Sequence, residues 1–378
     1  MFVSSTHFPQ LLGAQEYTSP QQFEREVTRL FLPSWHCIAA LGDFPREGDY
    51  ITRELLGRRL LLWRAEGEVR AFHNVCSHRF STLSDKPCGH FDGRARCQYH
   101  GWEYDCHGDA KKIPDAKNFK PLEHGMLGLR PSRTEQLGQL IFVNLADSGP
   151  SLREHLGEVG ERVEPWFLGD WQYLMSFEQT SQANWKVVVE NAVESYHVDM
   201  VHPTTFGTTP EDRLCAHDLH DRWTMYLENF AERDTLPAKL GKLAFWLTKV
   251  PTDHHYKHLL RYPNLMMADM GLFTFVHCVL PVSPKETHTA WRVFCNSGRA
   301  GSLRARIMWP SLSMWGRNFF PRIIAEDGAI HASVQRGLNN PVHPPGGLIS
   351  AREERIFHFQ RHVQAATADE GLLQTQPQ

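Results

Sequence analysis

Two short arms constrain this chain more than any other feature. They read Cys76-Ser77-His78 and Cys97-Gln98-Tyr99-His100, with residues 79–96 between them. Each arm follows a β-like run and pairs a thiol with an imidazole. Pro87, Gly89 and Gly101 supply tight backbone close by. Two thiolates and two imidazoles can hold a [2Fe–2S] cluster, with sulfur ligands on one iron and nitrogen ligands on the other. A structural zinc site is the bland alternative, but zinc fingers pair Cys with Cys and His with His, whereas each arm here is mixed. Cys88 and Cys106 lie near the arms. Their spacing does not match an all-cysteine ferredoxin pattern, so they read as ordinary core or loop thiols.

The arms sit in a β-rich stretch. Short runs at 37–41, 49–55, 59–64 and 69–73 are separated by turns such as Pro45-Arg46-Glu47-Gly48. They predict a small antiparallel β domain from about Trp35 to about Asp147. Before it, residues 18–32 predict one helix, with Ser19 as cap, Pro20 in the first turn, and Phe23, Val27, Leu30 and Phe31 on the apolar stripe.

A second constellation occupies residues 184–203, NWKVVVENAVESYHVDMVHP. Asn184 is a good N-cap. Trp185, Val188, Ala192 and Tyr196 fall at helical spacing and predict one buried stripe. Glu194 and His197 are three apart and share a face. His202 is five beyond His197, about 140° away on an ideal helix. For both to bind one metal, the turn between them must be π-like or unwound. A zinc-protease helix would put its histidines four apart, so that alternative is weaker.

Composition excludes several classes. Charged residues nearly cancel, 40 basic against 43 acidic, so nothing suggests nucleic acid or an anionic membrane as partner. No apolar run reaches membrane-spanning length, and the start MFVSSTHFPQLLG lacks a secretory pattern. Eight cysteines beside 22 histidines point to a reducing, cytoplasmic setting and metal chemistry.

The arms CSHRF and CQYHGW, followed by NWKVVVENAVESYHVDMVHP, resemble the catalytic α subunit of a Rieske non-haem iron oxygenase, a ring-hydroxylating oxygenase in the broad sense. The carnitine and choline monooxygenase branch is nearest in character. The resemblance implies an α+β chain: a small all-β Rieske [2Fe–2S] domain plus a helix-grip (START-like) catalytic domain with a curved antiparallel sheet. It divides the chain into an N-terminal helical segment, 1–38, packing with the catalytic domain; a Rieske domain, 39–148; and a mononuclear iron domain, 149–378. Cys76, His78, Cys97 and His100 would hold the cluster. His197 and His202 would bind the iron, and IIAEDGAIHASVQRGL, a helix over 323–338, would add Asp327, with Glu326 as the fallback in the next register. Such a triad leaves positions on ferrous iron open for dioxygen. Glu194 stands where most of the family has Asp, and would relay an electron from a neighbouring subunit's cluster, which implies a head-to-tail homotrimer. NAD(P)H and flavin would enter only through a partner reductase, since the chain has no dinucleotide glycine fingerprint. A small β subunit is compatible with the family.

Further runs at 171–179, 259–262, 265–270, 272–282 and 287–295 predict the strands of the curved sheet, and 350–364 a last helix with Ile356, Phe359 and Val363 inside. Residues 205–257 show no clean pattern. Their aromatics read mostly as core, although an aromatic box can hold a quaternary ammonium. Phe206, Phe273, Phe275 and His277 are candidate pocket residues. Three functions follow: monooxygenation or oxidative demethylation of a small substrate such as a quaternary amine; hydroxylation or cis-dihydroxylation of an aromatic acid or hydrocarbon; or a non-catalytic electron-transfer or binding module.

Overall fold

The structure is a computed structural model, and it describes residues 1–123, 126–233, 236–344 and 347–368. The chain divides into two compact units. One is continuous, Leu32–His155; the other joins Met1–Phe31 to the chain from Leu156 onward. The first segment holds β1 (Phe8–Pro9), α1 (Ala14–Thr18) and α2 (Pro20–Glu26). Ser19 accepts from Gln22 N–H at 3.3 Å and caps α2, with Pro20 following. The helix expected over 18–32 is therefore formed from Pro20 to Phe31, with the expected cap and first-turn proline, but its last part is π rather than α. Extended Ser19 separates α1 from α2, and Val27–Phe31 winds on as a π turn that buries Leu30 and Phe31 together.

The continuous unit contains β2 (Trp35–Ala40), β3 (Asp49–Leu55), β4 (Arg58–Ala65), β5 (Glu68–His73), β6 (Cys88–His90), β7 (Ala95–Arg96), β8 (Glu103–Tyr104), β9 (Ala110–Lys112), β10 (Pro131–Leu137) and β11 (Leu140–Asn144). Seven strands form one sheet in the order β2-β11-β10-β5-β4-β3-β6, and β7-β8-β9 form a second. Glu66 and Gly67 turn the β4–β5 hairpin with φ of 57° and 79°, the left-handed pair that matches strand twist. Tyr50, Leu61, Trp63, Phe72, Trp102 and Tyr104 make its core, together with Cys76 and Cys97. Because β2 pairs with β11, the chain enters and leaves this unit side by side.

The other unit continues after α3 (Leu152–Leu156) with α4 (Glu158–Val163), β12 (Gln172–Ser181), α5 (Trp185–Ala192), α6 (Val198–Val201), β13 (Cys215–Leu219), β14 (Trp223–Asn229), α7 (Leu236–Thr248), β15 (His255–Arg261), β16 (Leu265–Asp269), β17 (Phe273–Ser283), β18 (Glu286–Cys295), α8 (Leu303–Leu338), β19 (Leu348–Ile349) and α9 (Glu354–Thr367). The seven long strands form a curved antiparallel sheet ordered β12-β18-β17-β16-β15-β14-β13. The two units are a helix-grip catalytic fold and an all-β Rieske fold, an α+β chain as expected. The patternless stretch 205–257 supplies β13, β14 and α7.

Helix α8 grips the sheet. It is 36 residues long, starting 20 residues before the expected 323–338 segment. Ser302 caps it by accepting from Ala305 N–H. Pro310 and Pro321 sit inside it, yet Leu312, Gly316, Phe320, Ile324, His331 and Gln335 form one buried stripe that holds it on β12 and β18. At Gly316 a Cβ would lie 2.8 Å from both Leu174 Cδ2 and Phe273 Cε1, so any larger residue would have to displace these side chains. Among the described residues no helix is long and apolar enough to cross a membrane.

Candidate metal centres

The two arms of the β unit are built alike. Phe80 N–H closes on Cys76 O and Gly101 N–H on Cys97 O, both at 3.0 Å, and both closing residues are left-handed, with φ of 61° and 72°. The symmetry brings all four candidate side chains to one end. Cys76 and Cys97 are buried, 1% and 2% exposed. The His78 and His100 rings stand 4.5 Å apart. Tyr104 OH lies 3.0 Å from Cys76 Sγ and accepts from Ser77 N–H. Burial pushes the Cys76 thiol up, which only a nearby positive centre would reverse. His78 Nδ1 is sealed from solvent with no hydrogen-bond partner. Two buried sulfurs beside two imidazoles, one with an orphaned nitrogen, suit a mixed-ligand iron–sulfur cluster.

The second set is organised by a broken helix. Asn184 Oδ1 accepts from Lys186 N–H at 3.0 Å, and the Asn184 amide donates to Tyr17 O and Pro284 O. Lys186 is fully buried against Glu26, which also takes the Trp185 indole N–H. This anchoring makes the start of α5 rigid. The helix then ends at Val193, before the first histidine rather than between the two. Tyr196 is consequently 66% exposed, not part of the buried stripe. The cause is Glu194: its carboxylate folds back on the Tyr196 and His197 N–H groups and on His197 Nδ1. Between the histidines the chain is the one-turn helix α6, not an unwound turn.

Asp327 on α8 faces both histidines. Its Oδ1 lies 3.1 Å from His202 Nε2 and 3.7 Å from His197 Nε2. One donor atom from each of the three lies within 4.8 Å of the others. Asp327 Oδ1 is buried and makes no aligned hydrogen bond, as expected of atoms ranged around a common point instead of at one another. Glu326, the fallback, is turned to the other side of His202, with Oε2 2.8 Å from Nδ1 and bonded by Thr205. Each histidine thus has a carboxylate on Nδ1 and keeps Nε2 for the shared point, the arrangement of imidazoles oriented for a metal. Burial lowers His202 basicity, but Asp327 and Glu326 outweigh it and leave the imidazole raised. The donor chemistry suits ferrous iron with open positions.

One turn beyond Asp327, His331 is buried and pushed down to about 4 by desolvation. Its Nε2 donates to Asn191 Oδ1 at 2.8 Å, which leaves Nδ1 to accept from Ser181 Oγ at 3.2 Å. It therefore ties α8 to α5 and β12. Sequence reasoning missed it, although its spacing of four from Asp327 was the available signal.

The pocket candidates divide. Phe206 packs edge-on to His202, with centroids 5.3 Å apart. Phe275 and His277 lie on the inner sheet face with Trp291, and His277 stacks on that indole at 4.0 Å. Phe273 is wedged against Trp315 and Phe320 as core. Trp291, not singled out by sequence, has a buried indole nitrogen without a partner. His258 reaches His277 across β16, with Nε2 atoms 3.4 Å apart. Burial holds both neutral, His277 pushed down to about 3.

Comparison with known proteins agrees with this architecture. Residues 34–125 match the Rieske [2Fe-2S] domain family and residues 168–369 the "Ring hydroxylating alpha subunit (catalytic domain)" family. The carnitine monooxygenase oxygenase subunit of Escherichia coli (strain K12) is 30% identical, over 92% of this chain and 91% of that one. The glycine betaine monooxygenase oxygenase subunit of Pseudomonas aeruginosa (strain UCBPP-PA14) is also 30% identical, over 91% and 86%. Among solved structures, the quaternary ammonium Rieske monooxygenase CntA in complex with L-carnitine superposes with a TM-score of 0.74 at 24% identity, covering 96% of both chains. The fold and its two donor sets define a two-centre redox enzyme. The chain belongs to the Rieske non-haem iron oxygenases, as a ring-hydroxylating-type catalytic α subunit. It is an oxidoreductase that incorporates dioxygen into a small molecule, and its cofactors are a Rieske cluster and a mononuclear non-haem iron.

Proposed function

We propose that the chain is the terminal oxygenase of a system that hydroxylates or oxidatively demethylates a small quaternary amine. Cys76, His78, Cys97 and His100 would hold the cluster, and His197, His202 and Asp327 the iron. When bound, the cluster supplies electrons and the iron activates dioxygen. The observation that carries the iron assignment is the buried, unpartnered Asp327 Oδ1 facing two Nε2 atoms. The protein's part is orientation. Glu194 and Glu326 hold the two imidazoles by Nδ1, and His331 fixes α8 behind Asp327. Glu194 also serves as the relay from the cluster of a neighbouring copy in a homotrimer. A flavin reductase fed by NAD(P)H supplies electrons, in the cytoplasm.

The substrate class is supported by relatives named for carnitine and glycine betaine. Phe206, Phe275 and Trp291 offer aromatic faces for a quaternary ammonium. His258 and His277, held neutral, add no positive charge beside them. Arene dihydroxylation is the second reading, favoured by 28% identity to the α subunit of 2-aminobenzenesulfonate 2,3-dioxygenase from Alcaligenes sp..

A single turnover tests both. Chemically reduced, iron-loaded protein is mixed with air and a panel of quaternary amines, methyl ethers and aromatic acids, and products are read by mass spectrometry. One added oxygen on an amine, or its demethylation products, is expected. A cis-diol from an aromatic acid would transfer the assignment to the second reading.

A further inference from the structure

Apart from the two donor sets described, three potential donors from two distant parts of the sequence meet in the β unit. One donor atom each from Glu66, Cys106 and His107 lies within 4.8 Å of the others. His107 Nε2 is 3.4 Å from Glu66 Oε2. Sequence reading treats Cys106 as an ordinary core or loop thiol, because its spacing fits no ferredoxin pattern; Glu66 lies 40 positions before it.

The donors are held by two rigid turns. Glu66 is the left-handed corner of the β4–β5 hairpin. Cys106 and His107 lie in the β8–β9 turn, where Asp105 Oδ1 accepts from His107 N–H and Asp109 N–H, each at 3.0 Å. That turn is seated on the core: Leu129 N–H donates to Gly108 O at 2.7 Å, and a Cβ at Gly108 would come within 2.7 Å of the Phe72 ring. Arg70 donates to Glu66 Oε2 at 3.2 Å and to Glu68 Oε2 at 2.9 Å, which fixes the Glu66 carboxylate as outer-shell bonds fix a metal ligand. Cys106 is half-buried, while Glu66 and His107 are open to solvent, so an ion has an entry path.

We propose that Glu66, Cys106 and His107 form a third metal site, for a thiophilic divalent cation of the zinc class, which staples the two sheets of the Rieske unit together. One sulfur, one imidazole nitrogen and one carboxylate oxygen, with water as the fourth ligand, make a tetrahedral set. The sulfur disfavours magnesium and calcium, which take oxygen ligands. The topology gives the staple its purpose. Strand β5 of the large sheet runs from the Glu66 turn to the Cys76–His78 arm. Strand β8 of the small sheet runs from the Cys97–His100 arm to the Cys106–His107 turn. Each sheet carries one cluster arm at one end and one part of the trio at the other. A cation at the trio would tie the sheets together at the end away from the arms.

The test uses full-length, cluster-loaded protein carrying His197→Ala and Asp327→Ala, so that zinc cannot settle in the candidate iron triad. The chain is incubated with zinc chloride, desalted, and analysed for metal content and thermal stability. Retention of one zinc per chain and a higher Tm are expected. Adding Cys106→Ala or His107→Ala should abolish both, while the visible cluster absorption stays unchanged and reports an intact fold. Failure to retain zinc overturns the proposal. So does retention, or a Tm rise, that neither substitution reduces.

Discussion

Glu326 and Glu194 act on the two candidate iron histidines through the same atom, Nδ1, from different elements. Replacing Glu326 by Ala should weaken mononuclear iron binding by roughly 10- to 100-fold, because the His202 ring loses its orientation. Iron titration followed by product yield measures this, and unchanged affinity would count against the assignment. Glu194→Ala is expected to differ: both metals stay bound, yet the reduced cluster fails to reoxidise when substrate and air are added, which stopped-flow absorption reads directly. Normal reoxidation would remove Glu194 from the electron path. The choice between Asp327 and Glu326 was only partly legible in sequence. Neighbours on a helix differ by about 100° in direction, and nothing in the string IIAEDGAIH says which one faces the histidines until the phase of α8 on the sheet is known. His331 and Trp291 were hidden for a similar reason, since their partners come from β12, α5 and β17.

Among the elements, α5 and α8 carry the site and differ in how readable they are. Asn184, Trp185 and the valines after them mark the start of α5 plainly. Its end at Val193 is not marked by any glycine or proline; it is set by the Glu194 carboxylate capturing backbone N–H groups, a contact that periodicity does not encode. For α8 the difficulty is reversed, because Pro310 and Pro321 read as breakers, while burial of the stripe from Leu312 to Gln335 outweighs them. Gly316→Val should therefore lower Tm with a cost of about 1–3 kcal/mol from overpacking against Leu174 and Phe273. A Tm at or above that of the parent would show that the helix is not pressed on the sheet there. Inside α5, Glu190 is half-buried, and desolvation pushes its carboxyl up to about 7 despite hydrogen bonds from Tyr17 and Gln360. The folded state thus holds a proton that the unfolded chain releases near pH 4.5. This group's stabilisation is complete below that pH and is lost as pH rises through about 7, on the order of 3 kcal/mol in all. Glu190→Gln should remove this component, so its stability relative to the parent climbs between about pH 4.5 and pH 7. Parallel urea-melt curves for the two proteins across that range would refute it.

At the scale of the molecule, the β unit is contiguous in sequence and the iron unit is not. Met1–Phe31 belongs with the C-terminal chain through named contacts: β1 pairs with β19, Glu354 accepts from Val3 and Ser4 N–H, and Gln360 accepts from Leu11 N–H. The two-unit plan was legible from the ordered motifs. The placement of the first segment came from family resemblance, since no pattern within 1–31 names α9 as its partner. A fragment spanning Leu32–His155 is expected to fold and show a Rieske absorption spectrum by itself, whereas the chain from Leu156 onward should aggregate unless Met1–Phe31 is supplied. A featureless spectrum from the first fragment, or a well-folded second one, would contradict this division.

The pairing of β2 with β11 closes the cluster-bearing unit on itself, and that has a consequence for biosynthesis. A ribosome finishes this unit while Met1–Phe31 still waits for α9, which begins only at Glu354. The nascent chain is thus able to receive iron and sulfide from an assembly machinery before α8, which carries Asp327, has been made.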